Sequence, residues 1–357
     1  MTGMRVVVTG ATGNIGTSVV RALADDPAVE SIVGLVRRKP RWSHPKLTVK
    51  KIDLGKVGKA SEAALDSVFA DADAVVHLAW LFQPTRDPVK TWRTNVLGSL
   101  RVFEAVARCA VPALVYSSSV GAYSPGPKDR GVTEDWPTHG WPGAAYTREK
   151  AYLERALDAF EAEHEQIRVV RIRPGFVFQR EAASEQRRIF LGPFVPTSLV
   201  RPGLVPLVPN TRSLRMQVVH SDDIGEAFRL AVTRDVRGAF NVAADEPVDA
   251  ALLARLLGAR TVPVPSRLLR TAVSAAWTLR LVPASPQLFD AVVRLPLMDT
   301  TRARTELGWQ PRHSAGEAVA EFLTGLRERA GGQTPPLASS VEGGRLGEVA
   351  TGVGKRP

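Results

Sequence analysis

The stretch VTGATGNIG, at 8–16, limits what this chain can fold into more than any other part of it. It follows MRVVV, a short apolar run that reads as a buried strand, and leads into IGTSVVRALADD, whose apolar residues recur at helical spacing. Glycines at intervals of three therefore stand at a strand-to-helix turn. There Gly10 can adopt a backbone angle closed to other residues, Gly13 lets the main chain approach a ligand, and Gly16 lets helix and strand pack closely. The helix offers unpaired N–H groups and the positive end of its dipole to an anion, most simply a pyrophosphate. A turn that collects glycine only for its own geometry is the competing reading.

Context decides between the two. Strand-like runs recur at 31–36, 47–53, 74–79, 113–119 and 167–173, with helical patterns between most of them. This alternation predicts an α/β fold, a doubly wound parallel sheet with helices on both faces and ligands at the carboxyl ends of its strands. Beyond Arg173 the pattern loosens into short strands, Pro-rich loops and isolated helices. The expected organisation is a dinucleotide-binding domain at 1–173, a smaller C-terminal substrate lobe of mixed α/β structure at 174–330, with some segments returning to the first domain, and a disordered tail at 331–357. The tail is rich in Gly, Pro and Ser and has no apolar periodicity.

Charge and cysteine content narrow the function. The net charge of +11 comes from 47 Lys and Arg against 36 Asp and Glu, scattered rather than gathered into a stripe. That suits a solvated surface and phosphate-bearing small ligands, and no nucleic-acid partner is expected. Cys109 is the only cysteine, which excludes an intrachain disulfide and a thiolate metal site; no metal and a reducing, cytoplasmic setting are expected. With a strand-like run starting within a few residues of Met1, no signal segment is expected. TAVSAAWTL, bounded by Arg270 and Arg280, is far shorter than the ~20 residues of a membrane span, so no membrane is expected either.

YTREK places Tyr146 and Lys150 four apart on one helix face, where an ammonium can act on a neighbouring phenol. A phenol titrates near ~10, and a close positive charge stabilises its anion, which would bring Tyr146 towards acid–base work nearer neutral pH. Ser119, at the carboxyl end of a strand, can hydrogen-bond the same substrate oxygen. Either motif alone reads as ordinary surface and strand-end residues; their order after the glycine turn favours chemistry.

With these pieces on one chain, the sequence resembles the short-chain dehydrogenase/reductase superfamily in its extended, epimerase/dehydratase-like branch, over roughly 4–327. The resemblance rests on TGATGNIG, DL at Asp53 and Leu54, HLA at 77–79, NVLGS from Asn95, SSS ending at Ser119, YTREK, RPG at 173–175, VHSDDIGEA near Asp223, FNVA at Phe240 and ELGWQP. It implies a Rossmann-type domain whose cofactor is held by Gly10, Thr12, Gly13, Asn14, Ile15 and Gly16, with Asp53 and Leu54 at the adenine and Leu78 and Ala79 along the cleft. Asn95 would lie near the nicotinamide ribose or serve as a helix-internal polar residue, and Pro174 near the carboxamide. Ser119, Tyr146 and Lys150 would be catalytic, with Tyr146 and Lys150 also touching the cofactor.

Relatives that use NAD usually carry an acid at the end of the second strand; this chain has Arg37 and Arg38 there, suited to a 2′-phosphate. NADP(H) is therefore favoured with NAD(H) as the alternative, the competing reading being a basic loop facing solvent. Sugar-nucleotide relatives also carry an Asn and an Arg that serve the diphosphate, where this chain has Phe176 and Met216, with Arg212 and Arg215 nearby as substitutes. The dehydratase acid pair is replaced by Val120 and Gly121. Trp80, Leu81, Phe82, Trp136, Trp141 and Phe176 suggest an apolar or aromatic small-molecule substrate, with Trp80, Phe82 and Phe176 as its contacts. Three readings follow: an NAD(P)(H)-dependent oxidoreductase interconverting a carbonyl and an alcohol; an epimerase acting on a nucleotide sugar with retained NAD; and a non-catalytic dinucleotide sensor. A homodimer is the partner the resemblance suggests.

Overall fold

Strands buried on both faces need apolar side chains at successive positions, and Val6, Val7 and Val8 supply them in the first. The computed structural model describes residues 3–211 and 213–355. Among these, β1 (Met4–Thr9), β2 (Val29–Val36), β3 (Leu47–Lys51), β4 (Ala74–His77), β5 (Ala113–Ser117), β6 (Arg168–Pro174) and β7 (Gly238–Val242) form one all-parallel sheet. Its order is β3-β2-β1-β4-β5-β6-β7, so the direction of winding reverses between β1 and β4. This is the Rossmann-type doubly wound sheet that the alternation predicts, and the glycine turn leaves β1 at the reversal, where such sheets open a ligand crevice.

The pleat sorts the core into two layers. Val6, Val8, Val76, Val115 and Ile172 face one side, under α1 (Asn14–Asp25) and α5 (Ser221–Thr233), which contribute Val19, Leu23, Ile224 and Phe228. Val7, Val75, Leu114, Tyr116 and Val169 face the other, under α2 (Lys59–Phe69), α3 (Gly98–Arg108) and α4 (Ala145–Glu163). Burying both faces is what fixes the register, because a slip of one residue would exchange the two layers.

The smaller lobe pairs Phe176–Phe178 with Val218–His220, and Leu207–Asn210 with Arg260–Pro263, and is backed by α6 (Ala315–Glu328). Two of the sequence signatures lock this lobe to the sheet. The buried Trp309 indole donates to the Asp223 carbonyl at 2.8 Å, and the Asp223 carboxylate accepts from the backbone N–H groups of Arg312 and His313.

The tail differs from the disorder expected of 331–357. Its described part, 331–355, packs on the body, with α7 (Gly344–Ala350) near its end and Thr334, Leu337 and Val353 buried. Arg187 and Glu348 form a buried ion pair, while Arg345 donates to the carbonyls of Pro193 and Val195. Hydrogen bonds to main-chain carbonyls hold this segment more than any apolar stripe does, so hydrophobic periodicity could not announce it. Among the described residues no helix is long and apolar enough to cross a membrane.

Candidate active site

At the turn each glycine meets a different constraint. Gly10 has φ +72°, and a Cβ there would stand 2.8 Å from the Ala79 main chain; at Gly16 a Cβ would stand 2.1 Å from the Gly10 carbonyl oxygen. Gly13 is open: a Cβ would meet only the Gly10 oxygen, at 3.6 Å. Gly13 precedes α1, and no side chain among the described residues caps that helix. A free first turn facing open space is a cradle of the kind a pyrophosphate fills, so the residues present fit a dinucleotide.

Thr12, Leu54, Leu78 and Ala79 line the same cleft, and the exposed Arg37 and Arg38 stand at its mouth. Its empty volume is about 1430 Å³, counting space open to solvent. Other residues carried over by resemblance face different partners. Asn14 donates to the Val177 carbonyl and accepts from Gln179, tying α1 to the smaller lobe, and Ile15 packs on the sheet core. Asp53 accepts from the Gly55 N–H at 2.9 Å, and Pro174 is buried at the end of β6, paired with Val242. Asn95, fully buried, exchanges hydrogen bonds with the Leu81 backbone and donates to Glu149 at 2.7 Å. From within its helix Asn95 thus positions the 80–83 loop.

His77, at the end of β4, is also structural. It is hydrogen-bonded to Thr9 at 2.6 Å and to Ser99 at 2.8 Å, and burial together with the Lys150 charge brings it down to about 3, so it is neutral. Thr9 in turn accepts from the N–H groups of Leu78 and Ala79, which fixes the mouth of the cleft.

Ser119, Tyr146 and Lys150 come together at the ends of β5 and the start of α4. Ser119 lies two residues beyond β5, where it caps a short 3-10 turn by accepting from the Gly121 N–H at 2.9 Å. Lys150 is buried; its Nζ donates to the Ser117 carbonyl at 2.7 Å and to the Tyr116 hydroxyl at 3.4 Å, and lies 3.6 Å from the centre of the Trp80 ring. Burial brings Lys150 down to about 7, against the pull of Glu149 and Glu154. Tyr146 differs from the expectation that Lys150 would depress it. Burial pushes it up to about 12, and Glu149 adds to that, although a hydrogen bond with Ser119 opposes it. The reason lies in the ammonium's partners, since Lys150 is directed to Ser117 and Trp80.

Beneath this group lies a polar network built from the other signatures. Glu154, fully buried, accepts from Arg173, Arg171 and Ser118. Despite burial, which raises it, the Arg173 and Arg171 bonds and charges hold its carboxyl at about 2. Arg173 reaches the Tyr123 hydroxyl at 2.9 Å, and that hydroxyl donates to Asn241 at 2.6 Å.

The expected aromatic lining divides. Phe82 stacks on Tyr146 with ring centres 5.5 Å apart, Trp80 meets the same ring edge-on, and Phe190 adjoins Phe82. Phe176 instead packs among Val120, Tyr123 and Leu295, with Met216 in an adjoining apolar cluster. Trp136 joins the Phe176 cluster, and Trp141 carries the Arg294 guanidinium at 4.2 Å. Arg215 donates to the Lys128 carbonyl, and Arg212 lies outside the described residues.

Residues 6–243 match the model of the NAD dependent epimerase/dehydratase family. The chain belongs to that family. A 3-diazoavenalumate denitrifying reductase from a Streptomyces species is 30% identical over 333 residues, 87% of this chain and 97% of the relative. A UDP-glucose 4-epimerase of Mycolicibacterium smegmatis is 27% identical over 335 residues, 91% of this chain and 99% of the relative. Among solved structures, a UDP-glucose 4-epimerase of Thermotoga maritima with UDP-glucose superposes with a TM-score of 0.67 at 20% identity, covering 91% of this chain and 99% of that one. A likeness at that identity carries the fold.

Sequence reasoning missed Arg188 and the C-terminal segment, both of which line the cleft. Arg188 stands near enough to Arg38 for their charges to oppose each other. Glu185 lines the cleft beside it and is raised to about 7 by burial, against the Arg188 charge. No spacing rule links residues 150 apart, and no signal in the local sequence marks either.

Proposed function

We propose that this chain is a dinucleotide-dependent oxidoreductase that interconverts a carbonyl and an alcohol on a small apolar or aromatic substrate, with NADP(H) preferred to NAD(H). The carrying observation is the wall at Tyr146: Phe82 stacked on the phenol and Trp80 across its edge, with apolar packing at Phe176 and Met216. Apolar walls with a few convergent polar groups suit such a substrate, and nothing at Phe176 or Met216 can grip a diphosphate. The match to a denitrifying reductase over nearly the whole chain supports the reductive part of that reading.

The bound nicotinamide would supply or accept the hydride. The protein's part is the proton and the alignment. In reduction Tyr146 gives its hydroxyl proton to the substrate oxygen, and Ser119 hydrogen-bonds that oxygen and the phenolate left behind. Arg37 and Arg38, with Arg188 nearby, would hold the 2′-phosphate by charge-assisted hydrogen bonds.

An epimerase that keeps NAD is the second reading, favoured by the covered cleft and by the likeness to a curated epimerase. The experiment is to purify the protein without added cofactor, denature it and identify any nucleotide released, then titrate the emptied protein with NADPH and NADH. An exchangeable site preferring NADPH by about tenfold or more, the worth of one charge-assisted hydrogen bond, is expected. Stoichiometric NAD would move the epimerase ahead, and equal affinities would remove the role given to the arginines.

A further inference from the structure

One wall of the cleft is made by the segment that sequence composition assigns to disorder. Thr334, buried, donates its hydroxyl to the Thr12 carbonyl within the turn at 2.7 Å. Pro335 and Pro336 then line the cleft with Gly10 and Gly13, and Val341, Val353 and Gly354 line it further along. Arg188 holds the path by donating to the carbonyls of Pro336 and Ala338, each at 2.7 Å. At the far end the Gly354 carbonyl accepts from the Thr85 N–H at 2.9 Å, close to the loop that carries Trp80 and Phe82.

We propose that residues 331–355 form a strap over the dinucleotide site, and that cofactor enters or leaves only when the strap lifts. Its two ends are fastened at separate places along one cleft, Thr12 in the glycine turn and Thr85 beyond the aromatic loop, with cleft-lining residues between them. Its polar fastenings are Thr334 on Thr12, the Arg188 fork, Gly354 on Thr85, and α7 through Glu348 on Arg187 and Arg345 on Thr197 and the 193–195 carbonyls, with Leu337 and Val353 buried beside them. Such an attachment can open as a unit while the sheet stays folded. The proposal rests on the dinucleotide reading above, and it holds whether the cofactor is exchanged at each turnover or recycled in place. For an oxidoreductase it makes strap opening a candidate for the slow step.

The test compares the parent with a chain ending at Ala330 and with full-length Thr334→Val and Glu348→Gln. NADPH is bound to each, chased with excess NADP⁺, and followed by the decay of its fluorescence; equilibrium affinity is measured alongside. The shortened chain is expected to release NADPH about tenfold or more faster, and each point variant about two- to fivefold faster, as befits loss of one buried hydrogen bond or ion-pair partner. Release rates equal to the parent's in all variants overturn the strap alone. Tighter binding by the shortened chain also overturns it, because the segment would then compete with the cofactor. Should the shortened chain not fold, the point variants decide. Binding of neither NADPH nor NADH by parent and variants alike would overturn the dinucleotide reading and the strap with it.

Discussion

The glycine turn at 10–16 and the C-terminal segment at 334–354 line one cleft, and they are held in place by different means. Gly10 and Gly16 are fixed by contacts with the strand and helix on either side of them and with the neighbouring strand end at Ala79. Thr334, Pro336 and Glu348 are fixed by Thr12, Arg188 and Arg187, which lie 322, 148 and 161 positions away along the chain. The first wall is therefore a property of a short peptide and can be recognised as a pattern. The second exists only once the fold has brought distant residues together. Substitutions in the first should damage binding and stability together, whereas those in the second should alter exchange and leave the core nearly intact.

The strongest test of that division lies at the motif wall's chemistry. Tyr146→Phe removes the hydroxyl while keeping the ring that stacks on Phe82. Turnover of any carbonyl substrate the parent reduces is expected to fall about 10²- to 10⁴-fold, the usual worth of general acid–base catalysis. NADPH affinity, measured by fluorescence titration, should stay nearly unchanged. Unaltered turnover would take the proton-donor role away from Tyr146 and give it to another group.

What the sequence made legible follows the same division. The glycine turn and the strand–helix alternation depend on neighbours within a dozen residues, and both predict the sheet that the structure contains. Ser119, Tyr146 and Lys150 could be named from a spacing of four and a strand end, and the fold brings them together. Their electrostatics could not be named, because the Tyr146 proton responds to burial and the Lys150 ammonium to Ser117 and Trp80. Asn95 and Asp223 belong to recognisable motifs, yet their partners are the Leu81 and Arg312 backbones, which no local pattern connects to them. The Gly-, Pro- and Ser-rich tail gave the opposite error, since composition measures the lack of an apolar core and is blind to carbonyls waiting elsewhere.

A second test asks whether the motif wall owes its rigidity to the network beneath it. Glu154 is held at about 2 rather than the 4.5 of a free carboxyl, so its contribution is present above pH 4.5 and is lost as pH falls towards 2. By linkage that contribution is about 3 kcal/mol. Glu154→Gln leaves Arg173 and Arg171 buried beside a neutral amide, although Arg171 keeps Asp158 and Glu161. Denaturant unfolding at neutral pH is expected to show a loss of about 3–5 kcal/mol, and the variant should lack this part of the parent's acid sensitivity. An unchanged acid profile would mean that other carboxylates govern it.

The smallest effects compare the two walls directly. In Gly16→Ala the new Cβ would stand 2.1 Å from the Gly10 oxygen and 2.8 Å from the Ala11 carbonyl carbon, all main chain, so the turn itself must shift. A loss of about 1–3 kcal/mol is expected, together with weakened NADPH binding, because the N–H groups that face the cleft move with the turn. Thr334→Val keeps the volume and deletes one buried hydrogen bond to Thr12, and should cost about 1 kcal/mol in thermal or denaturant unfolding. Its affinity change should come through faster release, since the cradle at Gly13 is untouched. If Thr334→Val instead destabilised the protein as much as Gly16→Ala, the C-terminal segment would be part of the cooperative core, and a strap that lifts while the sheet stays folded would be ruled out.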